Sequence, residues 1–390
     1  MNIKRLINKG LIASDAVFRG FLRKSSAKKT GRVLVVFQQA LGDAVLISDS
    51  LKEYPKVFEE YEVVFLAKPS TAAFIKAVVP DADKLHFEDV DFARFMEDYK
   101  YYREILRKYR SSADILVVPT STPSAEIFSC ASDTPRKIGS VRPTDVKSVL
   151  IMSLLSKYAY TEKVRPDKNE MTLQRHRQLI HYLGGKDYQA KLPHLLREDR
   201  IINEERYCVV NAGASQPERW WPAERFAAVI DFIVEEFGMS VHLCGGPDEA
   251  EIGIKVEQLV KHPGRLVNHV GKTSFKEWSS IVQHASLVVA NDSSTAHLAA
   301  AHRVKTVCII GAYEFVVFPY KVDVLEPGDR LPVCVYKPMP CACCRDVGYF
   351  SGSLNDECKS RLKSGKCALC IDAVTADDVK EAVVKIMKEE

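Results

Sequence analysis

Apolar residues in this chain fall into short continuous runs, and between the runs they recur every three or four positions. Val33–Phe37, Val63–Ala67, Asp114–Pro119, Tyr207–Val210, Ser240–Leu243 and Leu287–Ala290 are such runs. Strands buried on both faces of a parallel sheet have this pattern. Thr71–Val79, Ala125–Cys130, Met171–Leu183, Ala223–Phe237 and Ser274–Ala285 have helical spacing. Gly184-Gly185 ends one of these helices and Pro222 starts another. Arg136–Gly139 and Arg265–Val270 are weaker strand candidates, and Leu85–Arg110 contains a polar, aromatic helix. Residues 140–170 carry little pattern, while Lys186–Glu205 is the most polar connecting stretch. The alternation predicts an α/β chain of two Rossmann-like halves with a linker between them.

The segment Ser286–Gly311 gives the clearest unit. Leu287–Ala290 is a strand, Asn291-Asp-Ser-Ser294 a polar turn, Thr295–His302 an alanine-rich helix and Val304–Gly311 the next strand. Such a turn sits where a strand's carboxyl end meets a helix N-terminus, whose free N–H groups favour an anion. The hydroxyls of Ser293, Ser294 and Thr295 add donors for a phosphate. An ordinary N-cap by Asp292 or Ser293 accounts for the same residues, and both readings stand.

A second polar loop, Gln38-Gln-Ala-Leu-Gly-Asp-Ala-Val45, follows the first strand. Gly42 permits close backbone approach. Asp43, opening a helix over Ala44–Tyr54, is either a cap or a carboxylate facing the crevice, where it can take a proton from a hydroxyl. The loop Asn211–Pro222 is rich in donors, and its Arg219 is suited to a diphosphate. Cys244-Gly-Gly-Pro-Asp-Glu249 is either a plain tight turn or a close approach to a ribose, with a carboxylate to hold its hydroxyls. No Gly-x-Gly-x-x-Gly fingerprint and no complete Walker-type Gly-x-x-x-x-Gly-Lys-Ser/Thr loop occurs (Gly271-Lys272-Thr273 has Leu266 in place of the leading glycine), which disfavours a dinucleotide oxidoreductase or a P-loop kinase.

Composition adds limits. With 390 residues there is room for two cores, and a formal net charge of +4 gives no argument for nucleic acid as a partner. No apolar run approaches the ~18 residues of a membrane span. Residues 1–32 differ from the rest: Lys4, Arg5, Lys9, Arg19, Arg23, Lys24, Lys28, Lys29 and Arg32 face one acid, Asp15, and the apolar positions have helical spacing. This basic amphipathic segment either lies on an anionic membrane surface or docks as a solvated helix on the body.

Eleven cysteines are present. Cys130, Cys208, Cys244 and Cys308 sit in apolar contexts, and six more crowd between Cys341 and Cys370. Cys341 with Cys344 and Cys367 with Cys370 have the spacing of half-sites for a structural zinc, with disulfides or free thiols as the alternatives. The expected setting is reducing and cytoplasmic.

Four segments together resemble the family 9 glycosyltransferases, the ADP-heptose:lipopolysaccharide heptosyltransferases and their relatives. They are Val33-Leu-Val-Val-Phe-Gln-Gln-Ala-Leu-Gly-Asp-Ala-Val45, Val210-Asn-Ala-Gly-Ala-Ser with Arg219-Trp-Trp-Pro222, Leu243-Cys-Gly-Gly-Pro-Asp-Glu249 and Asn291-Asp-Ser-Ser-Thr-Ala-His297. The resemblance implies a GT-B fold, two Rossmann-like domains facing across a cleft. Residues 1–31 would be the basic segment, 32–190 the acceptor domain, and 206–390 the nucleotide-sugar domain with a cysteine-rich tail. It implies an inverting, metal-independent transfer from a nucleoside diphosphate sugar to a lipid-linked glycan. Asp43 would be the base, with Gln39, Gly42 and Ser124 on the acceptor side. Gly213, Ser215, Arg219, Gly245, Gly246, Glu249, Asp292, Ser293, Ser294, Thr295 and His297 would bind the donor. Ser294 stands where the family usually has glycine, and Arg219 where it has lysine. These departures bear on which sugar nucleotide is taken more than on the reaction class. The alternative is a nucleotide-sugar-binding protein that has lost catalysis, or a membrane-surface scaffold.

Overall fold

The structure, a computed structural model, describes residues 3–22, 29–141, 155, 157–167, 170–216, 219–311, 320–339 and 356–388. Two parallel sheets of six strands form its frame. In the first the order is β3-β2-β1-β4-β5-β6, from β1 (Arg32–Phe37), β2 (Glu62–Ala67), β3 (His86–Asp89), β4 (Ile115–Val118), β5 (Arg136–Ser140) and β6 (Glu162–Val164). The second runs β12-β11-β10-β7-β8-β9, from β7 (Tyr207–Asn211), β8 (Ser240–Leu243), β9 (Leu266–Asn268), β10 (Leu287–Asn291), β11 (Thr306–Ile309) and β12 (Val333–Val335). Both are the doubly wound order, in which the chain reverses direction across the sheet between its first and fourth strands. Those switch points lie between β1 and β4 and between β7 and β10, and their loops carry the polar segments singled out above.

The central strands are apolar because helices cover both of their faces. Val33–Phe37 and Leu287–Asn291 are buried throughout. One apolar cluster is continuous from one half to the other, from Val35, Phe37, Val45 and Phe74 to Ala290, Ala296 and Ile310. Phe74 meets Phe275 edge-on at 5.3 Å and Trp278 at 5.8 Å, so aromatic packing joins the halves directly. The connecting stretch after Gly184, whose φ of +115° ends the Thr172–Leu183 helix, has no helix or strand before Tyr207. It is nevertheless pinned: Leu196 N–H donates to Val78 O at 2.7 Å, and Arg303 Nη1 donates to Pro193 O at 2.6 Å.

Three expectations change. The helix expected over Ala44–Tyr54 begins earlier, at Leu41, and runs to Ile47, followed by a 3-10 turn and a second short helix, Glu53–Val57. The segment Leu85–Arg110 opens with the edge strand β3 before its helices Phe92–Phe95 and Tyr99–Tyr109. The edge strands β6 and β12 lie in segments that carried no strand pattern. The basic N-terminal segment does form a helix, Ile3–Phe21, and it docks: Ile12 and Ala16 are fully buried. Cys130 Sγ donates to Ala16 O at 3.2 Å.

Candidate active site

The two switch points meet through their first helices. The Leu41–Ile47 helix after β1 packs on the Ser294–Ala301 helix after β10. The contact is close because Gly42 has no side chain: a Cβ there would stand 2.7 Å from His297 Cδ2 and 3.4 Å from the Ser294 Cα. Gly42 therefore permits the close approach of the other half of the protein.

Asp43 lies in the first turn of its helix and is half-buried. Ala40 is the N-cap and makes no side-chain capping bond, so Asp43 is not the cap that the sequence allowed. Both Asp43 and Asp292 act electrostatically on Tyr320. Burial pushes that phenol well above its ordinary range, and Cys308, Asp292, Cys334 and Asp43 raise it further. The carboxylates of the two halves thus share one neighbour.

On the second half, Asp292 follows β10 and is 2% exposed. Its Oδ2 lies 3.0 Å from Arg219 Nη1 and its Oδ1 3.4 Å from His297 Nε2. A carboxylate at Nε2 makes that nitrogen the donor, so Nδ1 accepts the Tyr320 hydroxyl proton. The two rings are parallel within 5°, with centroids 5.8 Å apart. Arg219 is held in place by its neighbours: Trp220 Nε1 donates to Ala214 O at 2.7 Å, and the buried Trp221 donates to Val374 O at 2.8 Å.

Ser293 is the N-cap of the Ser294–Ala301 helix, yet its side chain makes no capping bond. Ser293 therefore does not cap the first turn of this helix, which removes one of the two caps that the sequence allowed. Thr295 is buried and Ser294 half-buried beside it.

Glu249 follows β8 and reaches back across the sheet end. Its Oε2 accepts from Asn211 Nδ2 at 3.1 Å and from Gly246 N–H at 2.9 Å. A Cβ on Gly213 would fall 2.2 Å from the Glu249 carboxyl carbon, and one on Gly245 2.4 Å from Oε2. The Glu249 carboxyl group thus occupies the space that side chains at both positions would take. Burial raises the Glu249 carboxyl above its usual range, against the bonds from Gly246 and Asn211. Ser215 is exposed on the same loop as Gly213.

On the first half, Gln38 Oε1 accepts from Ser124 Oγ at 2.6 Å and from Thr122 Oγ1 at 2.8 Å. Gln39 Nε2 donates to Thr120 Oγ1 at 3.1 Å. The loops after β1 and β4 are thereby tied across their switch point.

Five buried polar atoms at these two strand ends have no hydrogen-bond partner among the described residues: Gln38 Nε2, Gln39 Oε1, Asn211 Oδ1, Asn291 Oδ1 and Ser293 Oγ. Buried polar atoms are ordinarily satisfied. Others of this kind occur elsewhere, as at Tyr54 Oη, Ser240 Oγ and Trp278 Nε1, and these five sit on the loops and strand ends at the two switch points, where a ligand's polar groups can meet them. Sequence reasoning did not single out Tyr320, Asn211 or Asn291 as site residues. The two asparagines had a signal, each closing an apolar run at a strand end, and Tyr320 had none.

In the tail, Cys341 and Cys344 lie outside the described residues, while Cys367 is half-buried and Cys370 buried. Among the described residues no group of three or more His, Cys, Asp or Glu side chains is arranged to hold a metal ion.

Comparison with known proteins agrees with this architecture. The E. coli lipopolysaccharide heptosyltransferase 3 is 29% identical over 141 residues, 35% of this chain and 39% of that protein. The similarity therefore spans about two fifths of that relative's length. A glycosyl transferase family 9 structure from Veillonella parvula superposes with a TM-score of 0.65 at 17% identity, covering 94% of this chain and 100% of that one. The E. coli ADP-heptose lps heptosyltransferase II gives 0.58 at 15% identity, over 91% and 98% of the two chains. At these identities the structures establish the GT-B fold. The model of glycosyltransferase family 9 (heptosyltransferase) matches residues 105–340, more than half of the sequence, and the chain belongs to that family.

Proposed function

We propose that this protein is an inverting glycosyltransferase. It would move a heptose-like sugar from a nucleoside diphosphate to a lipopolysaccharide or other lipid-linked cell-surface glycan, without a catalytic metal. The observation that carries the reading is the cluster of five unpartnered buried polar atoms where both sheets reverse their strand order. It lies between a carboxylate on one half and a helix N-terminus with an arginine on the other. The name of the E. coli heptosyltransferase II supports ADP-heptose as the donor class.

In this reading the donor occupies the second half. Its diphosphate lies at the first turn of the Ser294–Ala301 helix, with the Ser293, Ser294 and Thr295 hydroxyls and Arg219 as further donors. Its ribose sits against the Gly213 and Gly245 turns, where Glu249 Oε1 accepts from hydroxyls. The acceptor enters past Gln39 and Ser124. Its hydroxyl gives its proton to the Asp43 carboxylate, and the oxygen forms a bond to the anomeric carbon from the face opposite the leaving group. The bond from that carbon to the diphosphate oxygen breaks, and the electron pair leaves with the nucleoside diphosphate. Developing negative charge is met by the helix N–H groups and the Arg219 guanidinium. Contact of the halves through Gly42 and His297 excludes water, so the acceptor hydroxyl competes successfully with hydrolysis.

The protein works in the cytoplasm at the inner face of the membrane, with residues 1–31 attracted to anionic lipid. Cys341, Cys344, Cys367 and Cys370 supply thiolates suited to a structural zinc that takes no part in transfer.

Asp43→Asn tests the base. Sugar incorporation into an acceptor extract is expected to fall by about 10²–10⁴-fold, with nucleoside diphosphate binding unchanged by calorimetry. Turnover equal to wild type removes Asp43 from that role.

A further inference from the structure

The docked Ile3–Phe21 helix leaves one face uncovered. Ile7 is 56% exposed, Leu11 50%, Phe18 61%, Phe21 70% and Leu22 53%. At about 100° per residue these five side chains fall within an arc of about 100°. Among the described residues fourteen large hydrophobics are exposed, and these five lie within sixteen consecutive positions. Single exposed apolar residues are ordinary, whereas a contiguous stripe marks an interaction surface.

The opposite face is fixed. Ile12 and Ala16 are fully buried, Tyr102 Oη donates to Asp15 Oδ2 at 2.9 Å, and Asn8 Nδ2 donates to Glu97 O at 2.8 Å. Arg5 pairs with Glu97. Gly20 sits so close that a Cβ there would be 2.6 Å from Cys130 Sγ. The stripe therefore cannot turn inward without breaking this seam, and no described residue of the body covers it.

Two occupants fit an apolar helical stripe: a lipid surface and a second copy of the helix. Charge decides between them. Residues 1–32 carry nine Lys or Arg and one acid. Arg5, Lys9, Arg19 and Arg32 are paired with Glu97, Asp15, Glu62 and Glu88, and Lys4, Arg23, Lys24, Lys28 and Lys29 supply the remaining positive charge. Pairing two copies would bring two strongly cationic segments together, and Ser14 falls in the middle of the stripe, where a paired helix would need an apolar contact. An anionic leaflet neutralises the same charge while accepting the apolar side chains. No helix among the described residues is long and apolar enough to cross a membrane.

We propose that the Ile3–Phe21 helix is a rigid in-plane anchor, with Ile7, Leu11, Phe18, Phe21 and Leu22 inserted among the lipids of an anionic leaflet. The anchor goes beyond electrostatic attraction of a basic segment, because insertion persists where charge is screened. It also orients the protein. The anchor packs on the Pro123–Ala131 helix near Cys130, and the first turn of that helix carries Ser124 beside Gln38. A helix of that length spans about 13 Å, so the acceptor side of the crevice is tied to the membrane plane through one short rigid element. The proposal extends the reading of a membrane-borne acceptor, but its test contains neither donor nor acceptor.

The test is flotation of the full chain with vesicles of phosphatidylcholine and phosphatidylglycerol, and with phosphatidylcholine alone, at low and high salt. Wild type is expected to float with the anionic vesicles and to keep part of its binding at high salt. Phe18→Ser/Phe21→Ser should lose about tenfold or more in partitioning, while Ile254→Ser/Leu259→Ser, exposed apolar positions elsewhere, should bind as wild type. Phe18→Trp should give a blue-shifted emission on adding anionic vesicles. Equal flotation of the Phe18→Ser/Phe21→Ser variant overturns insertion. So does a wild type that ignores vesicles and sediments as a dimer dissociated by the same substitutions. A transfer-active protein that fails to float loses the anchor and keeps the chemistry.

Discussion

Gly42→Ala adds one methyl group at the contact between the halves, and its cost can be worked out from the geometry. The new carbon would stand 2.7 Å from His297 Cδ2, against about 3.5–4.0 Å for carbon atoms at rest, so the two must separate by about 1 Å. His297 cannot give cheaply. It is 4% exposed, its Nε2 faces Asp292 at 3.4 Å, its Nδ1 holds the Tyr320 hydroxyl, and its ring lies parallel to that of Tyr320. Overpacking of this kind costs about 1–3 kcal/mol, equivalent to about 5- to 150-fold in an equilibrium or a rate. The cost falls on the contact that joins the halves and on His297, which belongs to the proposed donor set. The expected result is a fall in kcat of that size, measured by coupled detection of nucleoside diphosphate release, together with a rise in nucleotide Kd by calorimetry. In a His297→Ala background the same substitution should cost nothing further, because the clash has been removed. A Gly42→Ala enzyme with kcat within twofold of wild type would refute the reasoning. So would an equal penalty in both backgrounds.

Tyr320→Phe keeps the ring against His297 and removes only the hydroxyl that holds Nδ1. Nucleotide Kd should rise by about 2- to 12-fold, the equivalent of one hydrogen bond of about 0.5–1.5 kcal/mol; an unchanged Kd by calorimetry would mean that the ring's orientation does not matter to the turn. Glu88 gives an acid-stability prediction: burial raises its carboxyl, but bonds from Lys108, Tyr109 and Arg32 outweigh it and bring the group from 4.5 down to about 2. The unfolded chain then binds the proton first, so this contribution is complete above about pH 4.5 and is lost as pH falls toward about 2. Glu88→Gln should flatten the pH dependence of urea denaturation in that window, and identical slopes for the two proteins would count against it.

How much of this was legible in the sequence depended on burial. β1, β2, β4, β7, β8 and β10 are mostly buried on both faces and mostly apolar, so their runs stood out even with Ser240 and His242 in β8. The strands β3, β6 and β12 lie at sheet edges or short ends, with partly exposed sequences such as His-Phe-Glu-Asp, and their pairing comes from neighbours that no local pattern encodes. The candidate site divides in the same way. Asp43, Arg219, Glu249 and Asp292 could be picked out as candidates from their place at strand ends, with caps and tight turns as the other readings. Their arrangement was not visible. Tyr320 meets His297 through the fold, and only the fold brings the Glu249 carboxyl into the space left by the missing side chains of Gly213 and Gly245.

The same geometry bears on the two departures from the family pattern. At position 294 a serine in place of glycine carries a Cβ, and the neighbour that approaches it across the halves is Gly42, which has none. Space for the serine is thus supplied from the opposite half, and its hydroxyl is gained as a donor at the helix N-terminus. Arg219 in place of lysine brings a planar fork, one nitrogen of which already lies 3.0 Å from Asp292. A lysine's single ammonium would have to choose between that carboxylate and a phosphate, whereas a guanidinium can hold Asp292 with one nitrogen and offer the others. Both replacements preserve or increase the donors at the turn, which favours an anionic ligand retained there over a site decaying into a structural contact.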